Sequence, residues 1–291
     1  MSANWSAGII IGSVSVLILA IFILGRIAAT RGTAEGPQFS QVYSIAASPS
    51  DPKRMFLGDA SGLFMSTDAG KKWNRHVISE PVRKIYADPR DIQVLYTVGG
   101  STIRKSADGG LTWKEVNTNL PSGDIYSLGS DPADSSKWYA YVTFRGVYRS
   151  QDGGTTWAPA NLMPSANITS LAVKPGAPDT VYAFSDVDGF VMSTSNAVAF
   201  TPVESAILPV KRVSDLLTVP TEPNAVYAVA GRAVYKSDNG GGNWKKLETG
   251  LTSVSVVALG RNVTTGELLV TDTEGVVYAS TDGGNAWRKV A

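Results

Sequence analysis

The chain has 291 residues, with 26 Lys+Arg against 25 Asp+Glu, a single histidine (His76) and no cysteine. Without thiols there is no disulfide framework, cysteine nucleophile or Cys-ligated zinc or iron–sulfur site, and one imidazole excludes a multi-histidine metal centre. A formal net charge of +1 argues against general nucleic-acid binding, which needs a strong basic excess.

Met1 to Gly25 carries no charged side chain, and Ala7 to Leu24 is a continuous apolar run followed by Arg26 and Arg31. A helix of ~20 such residues spans a bilayer core. No Lys or Arg precedes the run, as a cleavable secretory signal would require. Residues 1–29 are therefore expected to be a single-pass anchor in the lipid bilayer of a cell membrane. Gly8 and Gly12 would offer a small-residue face to a neighbouring helix. The two arginines place the C-terminal bulk on the cytoplasmic side. A linker at 30–39 follows.

From there the chain repeats itself. Ser66-Thr-Asp68-Ala-Gly70-Lys-Lys-Trp73 returns as Ser106-Ala-Asp108-Gly-Gly110-Leu-Thr-Trp113, Ser150-Gln-Asp152-Gly-Gly154-Thr-Thr-Trp157 and Ser280-Thr-Asp282-Gly-Gly284-Asn-Ala-Trp287. A fifth copy, Ser237 to Trp244, has Asn239 in the Asp place. A sixth, Ser193 to Phe200, keeps only the serine and an aromatic residue. The serines stand 40 to 44 residues apart, at 66, 106, 150, 193, 237 and 280. Ahead of each motif lie short β-rich runs: an inner strand such as Val42–Ala46, a turn rich in Pro and Asp, a second strand such as Trp138–Val142, and a third ending in the serine, as Gly146–Ser150 does. Four strands per repeat is the signature of a propeller blade.

The motif is identified as the Asp-box, or bacterial neuraminidase repeat, and the resemblance covers the chain from about residue 40. It implies an all-β, six-bladed β-propeller of four-stranded blades over residues 40–291, preceded by the transmembrane helix. In such hairpins the glycine takes a positive φ, the carboxylate accepts hydrogen bonds from turn amides, and the aromatic ring drops between blades. Asp68, Trp73, Asp108, Trp113, Asp152, Trp157, Trp244, Asp282 and Trp287 are accordingly structural.

Topology divides the loops. Turns from the first to the second strand of each blade share one face with the Asp-boxes; the other connections form the opposite, first face. Arg83, Lys84, Arg145, Lys211, Arg212 and Arg232 fall there and form the expected protein-docking surface. Asp186-Val-Asp188-Gly189 lacks the six to eight oxygens that calcium takes and is expected to be a turn. No metal, cofactor or catalytic residue is expected.

Six-bladed Asp-box propellers resemble sialidases, but the Arg-Ile-Pro signature of that family is absent and the connections are short. Size, a whole-chain run of boxes and basic residues on one face resemble instead the photosystem II assembly and stability factors. That resemblance implies a non-catalytic scaffold or accessory subunit. Its partners would be subunits of a membrane protein complex, such as a photosynthetic reaction centre, and never nucleic acid; it would also place the propeller on the periplasmic or luminal side. The alternatives are a sialidase-like glycoside hydrolase and a peptide- or ligand-binding propeller.

Overall fold

A computed structural model describes residues 37–290, apart from 163–166, 175, 177–178 and 205–211. The chain divides between Gln38 and Phe39, and the larger unit begins at Phe39. The expected anchor at 1–29, with Gly8 and Gly12, lies outside the described residues, as does Lys211. Among the described residues no helix is long and apolar enough to cross a membrane.

The larger unit is a six-bladed propeller. Each blade is a four-stranded antiparallel meander built from one consecutive stretch of chain, and strands are named A to D from the inside outward. Blade 1 comprises A (Val42–Ser48), B (Asp51–Asp59), C (Gly62–Ser66) and D (Asn74–Arg75). The A strands of blades 2 to 6 are Lys84–Ala87, Ile125–Asp131, Ile168–Lys174, Val213–Val219 and Val256–Arg261. Consecutive A strands touch, and that of blade 6 returns to that of blade 1, closing the ring.

A wedge packed on both sides has no wet face at its centre. The B strands accordingly read as apolar runs rather than alternating ones. Leu95–Gly99 is buried at every position, and so is Met55–Asp59. The D strands have nothing beyond them; those of blades 1, 2, 4 and 6 are two residues long and exposed. Six apolar clusters result, one in each gap between neighbouring sheets.

The repeated turns fix these gaps. Ser66 Oγ donates to Asp68 Oδ1 at 2.8 Å and accepts the Gly70 amide at 2.8 Å, while Asp68 Oδ1 accepts the Lys72 amide at 2.9 Å. The same bonds recur at Ser106, Ser150 and Ser280. At Ser237, Asn239 replaces the carboxylate without loss, its Oδ1 accepting the Asn243 amide at 2.8 Å. Glycine is required at the turn because its backbone is left-handed and lies against the preceding blade. A Cβ at Gly110 (φ 90°) would stand 2.0 Å from Phe56 Cζ, and one at Gly241 (φ 97°) 2.1 Å from Phe190 Cε1. In the degenerate sixth copy Ala197 takes that place at φ 64°. Trp73, Trp157 and Trp287 are buried, and Phe200 packs between blades 3 and 4.

Among the described residues no strand is exchanged across the seam between blades 6 and 1. Trp73 closes it by donating Nε1–H to the Gly275 carbonyl at 3.0 Å, with Phe39 edge-on to its ring at 6.4 Å. At the A-to-B connections the strands run further than the Pro and Asp residues suggest. In blade 1 the turn is Pro49–Ser50, and Asp51 and Pro52 already belong to strand B, with Ser48 opposite Asp51. In blade 3 Asp131 pairs with Asp134 across the turn. Register shifts at both places absorb the irregularity.

Candidate functional site

The centre of the ring is nearly filled. Lys84, on the A strand of blade 2, reaches across to Asp215 on the A strand of blade 5, and the two form an ion pair. Asp215 Oδ2 also accepts the Leu259 amide from blade 6 at 3.2 Å. Both side chains are withdrawn from solvent, at 12% and 2% exposure. Burial pushes the Asp215 carboxyl up, against the pull of the Lys84 ammonium. The cavity along this axis is about 90 Å3, room for a few water molecules. Lys84 was expected on the docking surface; it turns inward instead, because a buried carboxylate on the opposite blade needs a counter-charge.

The first face holds a more open constellation across blades 2 to 4. Arg83, just before the A strand of blade 2, lies between two tyrosine rings, with its guanidinium carbon 5.2 Å from the Tyr43 centroid and 4.5 Å from that of Tyr126. Its Nη2 meets Asp124 Oδ2 at 3.4 Å. Cation–π contact on both sides holds the guanidinium in one place. Asp124 precedes the A strand of blade 3, and its carbonyl accepts both the Thr143 amide, at 2.9 Å, and Thr143 Oγ1, at 3.1 Å. Thr143 belongs to the B-to-C turn of blade 3, whose next residue, Phe144, is 88% exposed.

A second carboxylate borders the same turn. Asp186, in the B-to-C turn of blade 4, accepts the Asn167 amide at 3.1 Å and its Nδ2 at 3.0 Å. Asn167 Oδ1 in turn accepts Tyr141 Oη at 3.0 Å, and Tyr141 lies on the strand that leads into Thr143. Burial raises the Tyr141 phenol, and the charge of Asp186 adds to it. A continuous chain of contacts thus links Asp124, the Phe144 turn and Asp186. The arrangement offers two carboxylates, a fixed guanidinium and aromatic rings along an open surface.

The other basic residues expected on this face scatter. Arg145 is exposed beside Phe144, with Nε 3.5 Å from the Ser122 carbonyl. Arg212 is exposed ahead of the A strand of blade 5, and Arg232 is exposed in the B-to-C turn of that blade at φ 67°. The structure brings Arg83 and Arg145 to the same blades but leaves Arg212 and Arg232 on blade 5. Asp186–Asp188 forms a turn, with the Asp188 amide on Ser185 Oγ at 2.9 Å. Among the described residues no cluster of three metal-ligating side chains occurs. Nothing in the sequence pattern marks Asp124 or Phe144, which lie in connections with no repeat signature, and Tyr126 carries only the pattern of its A strand, Ile125–Asp131.

No family model matches the chain. Its sequence is 24% identical to a xyloglucanase, Xgh74A of Acetivibrio thermocellus, over an alignment that covers 71% of this chain and 32% of the relative. It is 26% identical to a xyloglucanase of a Paenibacillus species over 43% of this chain. The chain thus spans about a third of the length of the first of these relatives. Among solved structures, a GH74 enzyme of Niastella koreensis superposes with a TM-score of 0.59 at 19% identity, over 88% of this chain and 46% of that one. YCF48 bound to a D1 peptide superposes with a TM-score of 0.53 at 18% identity, over 88% and 83%. At these identities the structures establish the shared propeller fold. The expectation of a non-catalytic scaffold, and of no enzymatic role, is corrected by the sequence relatives, which are xyloglucanases.

Proposed function

We propose that the chain is a propeller of the glycoside-hydrolase type, acting on a β-linked glucan such as xyloglucan across its first face. The observation that carries this reading is the sequence match to xyloglucanases over 71% of the chain. The Asp124–Arg83–Asp186 constellation gives it an address. Glycosidic cleavage uses two carboxyl groups flanking the scissile bond, one to protonate the leaving oxygen and one to attack or to activate water. Asp124 and Asp186 take those places, Arg83 bonds sugar hydroxyls, and Tyr43 and Tyr126 line the path. The repeated turns, read as Asp-boxes, serve as scaffold in this scheme. The apolar run from Ala7 to Leu24 tethers the propeller to a membrane, which fractionation of cells expressing the full chain would test.

The test is release of reducing ends from xyloglucan by the full chain, with Asp124→Asn and Asp186→Asn beside it. Either substitution is expected to lower turnover by about 10^2-fold or more while circular dichroism stays unchanged. Full-chain protein that neither binds nor cleaves xyloglucan, or variants that cleave as the parent does, would defeat the reading.

A further inference from the structure

Phe144 is an anomaly. A bulky aromatic side chain resists the left-handed backbone region, where its Cβ crowds the following carbonyl. Phe144 nevertheless sits there, at φ 58°. In the B-to-C turn of blade 2 a glycine, Gly100, occupies that region instead, and in blade 5 Gly231 shares it with Arg232. The strained ring gains nothing from the fold, since it is 88% exposed and joins none of the six interblade clusters. Strain kept at an exposed loop tip points to a use outside the fold.

Its surroundings indicate the use. The turn is pinned through Thr143 to the Asp124 carbonyl, so the residue that bears the ring follows directly on one tied to the backbone of the candidate acid. Val187, at the equivalent turn of blade 4, is 73% exposed, and Tyr126 is 38% exposed. Apolar surface here is flanked by Asp124, Asp186 and Arg145, groups that bond hydroxyls. An aromatic platform ringed by polar groups suits a molecule that is apolar on its faces and polar at its rim. A β-linked glucopyranose is such a molecule, with equatorial hydroxyls around two C–H faces.

We propose that Phe144 is a stacking platform for one pyranose ring of a neutral β-glucan, fixing where the chain lies relative to Asp124. This rests on the glycoside-hydrolase reading and adds to it a subsite. A neutral glucan is favoured over a charged polymer because the most exposed large side chains of these two turns, Phe144 and Val187, are apolar.

The experiment uses full-chain protein, cellohexaose and a xyloglucan oligosaccharide, with calorimetric titration and thermal melting. Phe144→Asn fits the left-handed backbone and removes the ring; Phe144→Tyr keeps the ring. The asparagine variant is expected to melt at a higher temperature than the parent yet bind the oligosaccharides about tenfold more weakly. The tyrosine variant is expected to bind as the parent does. Parent-like binding by Phe144→Asn, or equal losses in both variants, would overturn the platform while leaving the wider reading intact. A parent that binds neither oligosaccharide removes the platform and the wider reading together. A change in oligomeric state on Phe144→Asn, with saccharide affinity unchanged, would assign the ring to self-association and overturn the proposal.

Discussion

Trp73 and Trp287 occupy equivalent places in blades 1 and 6 and are equally withdrawn from solvent, at 7% and 6% exposure. They differ in one respect. The Trp73 indole donates across the closing seam to the Gly275 carbonyl, whereas Trp287 Nε1 has no protein partner among the described residues. Replacing each by phenylalanine removes similar ring area, so the packing losses nearly cancel in the difference. Trp73→Phe also removes the donor from a buried carbonyl, which costs about 1–3 kcal/mol where water cannot reach it. Trp287→Phe sheds an unpaired donor and recovers its desolvation cost. Trp73→Phe should therefore destabilise by about 1–3 kcal/mol more than Trp287→Phe, read as the difference in unfolding free energy from urea titrations with equal slopes. Hydrogen exchange should quicken first along the edges of blades 1 and 6. Equal losses from the two variants would refute the idea that the indole bond secures the seam.

Other consequences are as definite. Lys84→Met strands the buried Asp215 and should cost about 3–5 kcal/mol, while adding Asp215→Leu should restore most of it; chemical denaturation of both variants checks this. Hydrogen bonds from Thr156 hold the Asp152 carboxyl down to about 2, and those from Thr112 overcome burial to do the same at Asp108. Carboxyls lowered by folding stabilise above about pH 4, and that stability drains away as pH falls toward 2. Asp108→Asn with Asp152→Asn keeps the turn geometry, as Asn239 does naturally, and should flatten the acid limb of the melting temperature against pH. An unchanged limb would contradict the assignment. Gly110→Ala, overlapping the Phe56 ring at a left-handed residue, should cost about 2–4 kcal/mol, whereas Gly266→Ala, at φ 78° in open space, should cost about 1–2 kcal/mol by thermal melting.

The blades were legible because each carries a punctuation mark. In five blades the serine, acidic or amide residue, glycine and aromatic ring fall at fixed offsets, in the fourth blade the serine and aromatic ring alone do, and the third strand of every blade ends on the serine as expected. Strand ends at the A-to-B turns were less legible. Pro52 and Asp134 signal a break by propensity, yet both lie in strands, because a tight turn with a register shift tolerates them at the start of strand B. The first-face site was legible at Arg83 and Arg145, and in the placing of Asp186 in a B-to-C turn. Asp124, Thr143 and Phe144 converge through bonds between connections 19 residues apart, and neither spacing nor periodicity encodes that meeting. Lys84 illustrates the same limit from the other side: its neighbour Arg83 lies on the first face between two tyrosine rings, while its own direction is set by a carboxylate 131 residues away.

Because every sheet is completed by a single run of chain, no ladder of backbone bonds among the described residues ties the last wedge to the first. Gain or loss of one unit of about 43 residues would leave all the surviving pairings whole, changing only the angle that each apolar gap must subtend. Wedge count in such a toroid is thus free to drift by duplication and deletion, and the indole at the junction is the part that any newcomer must accommodate.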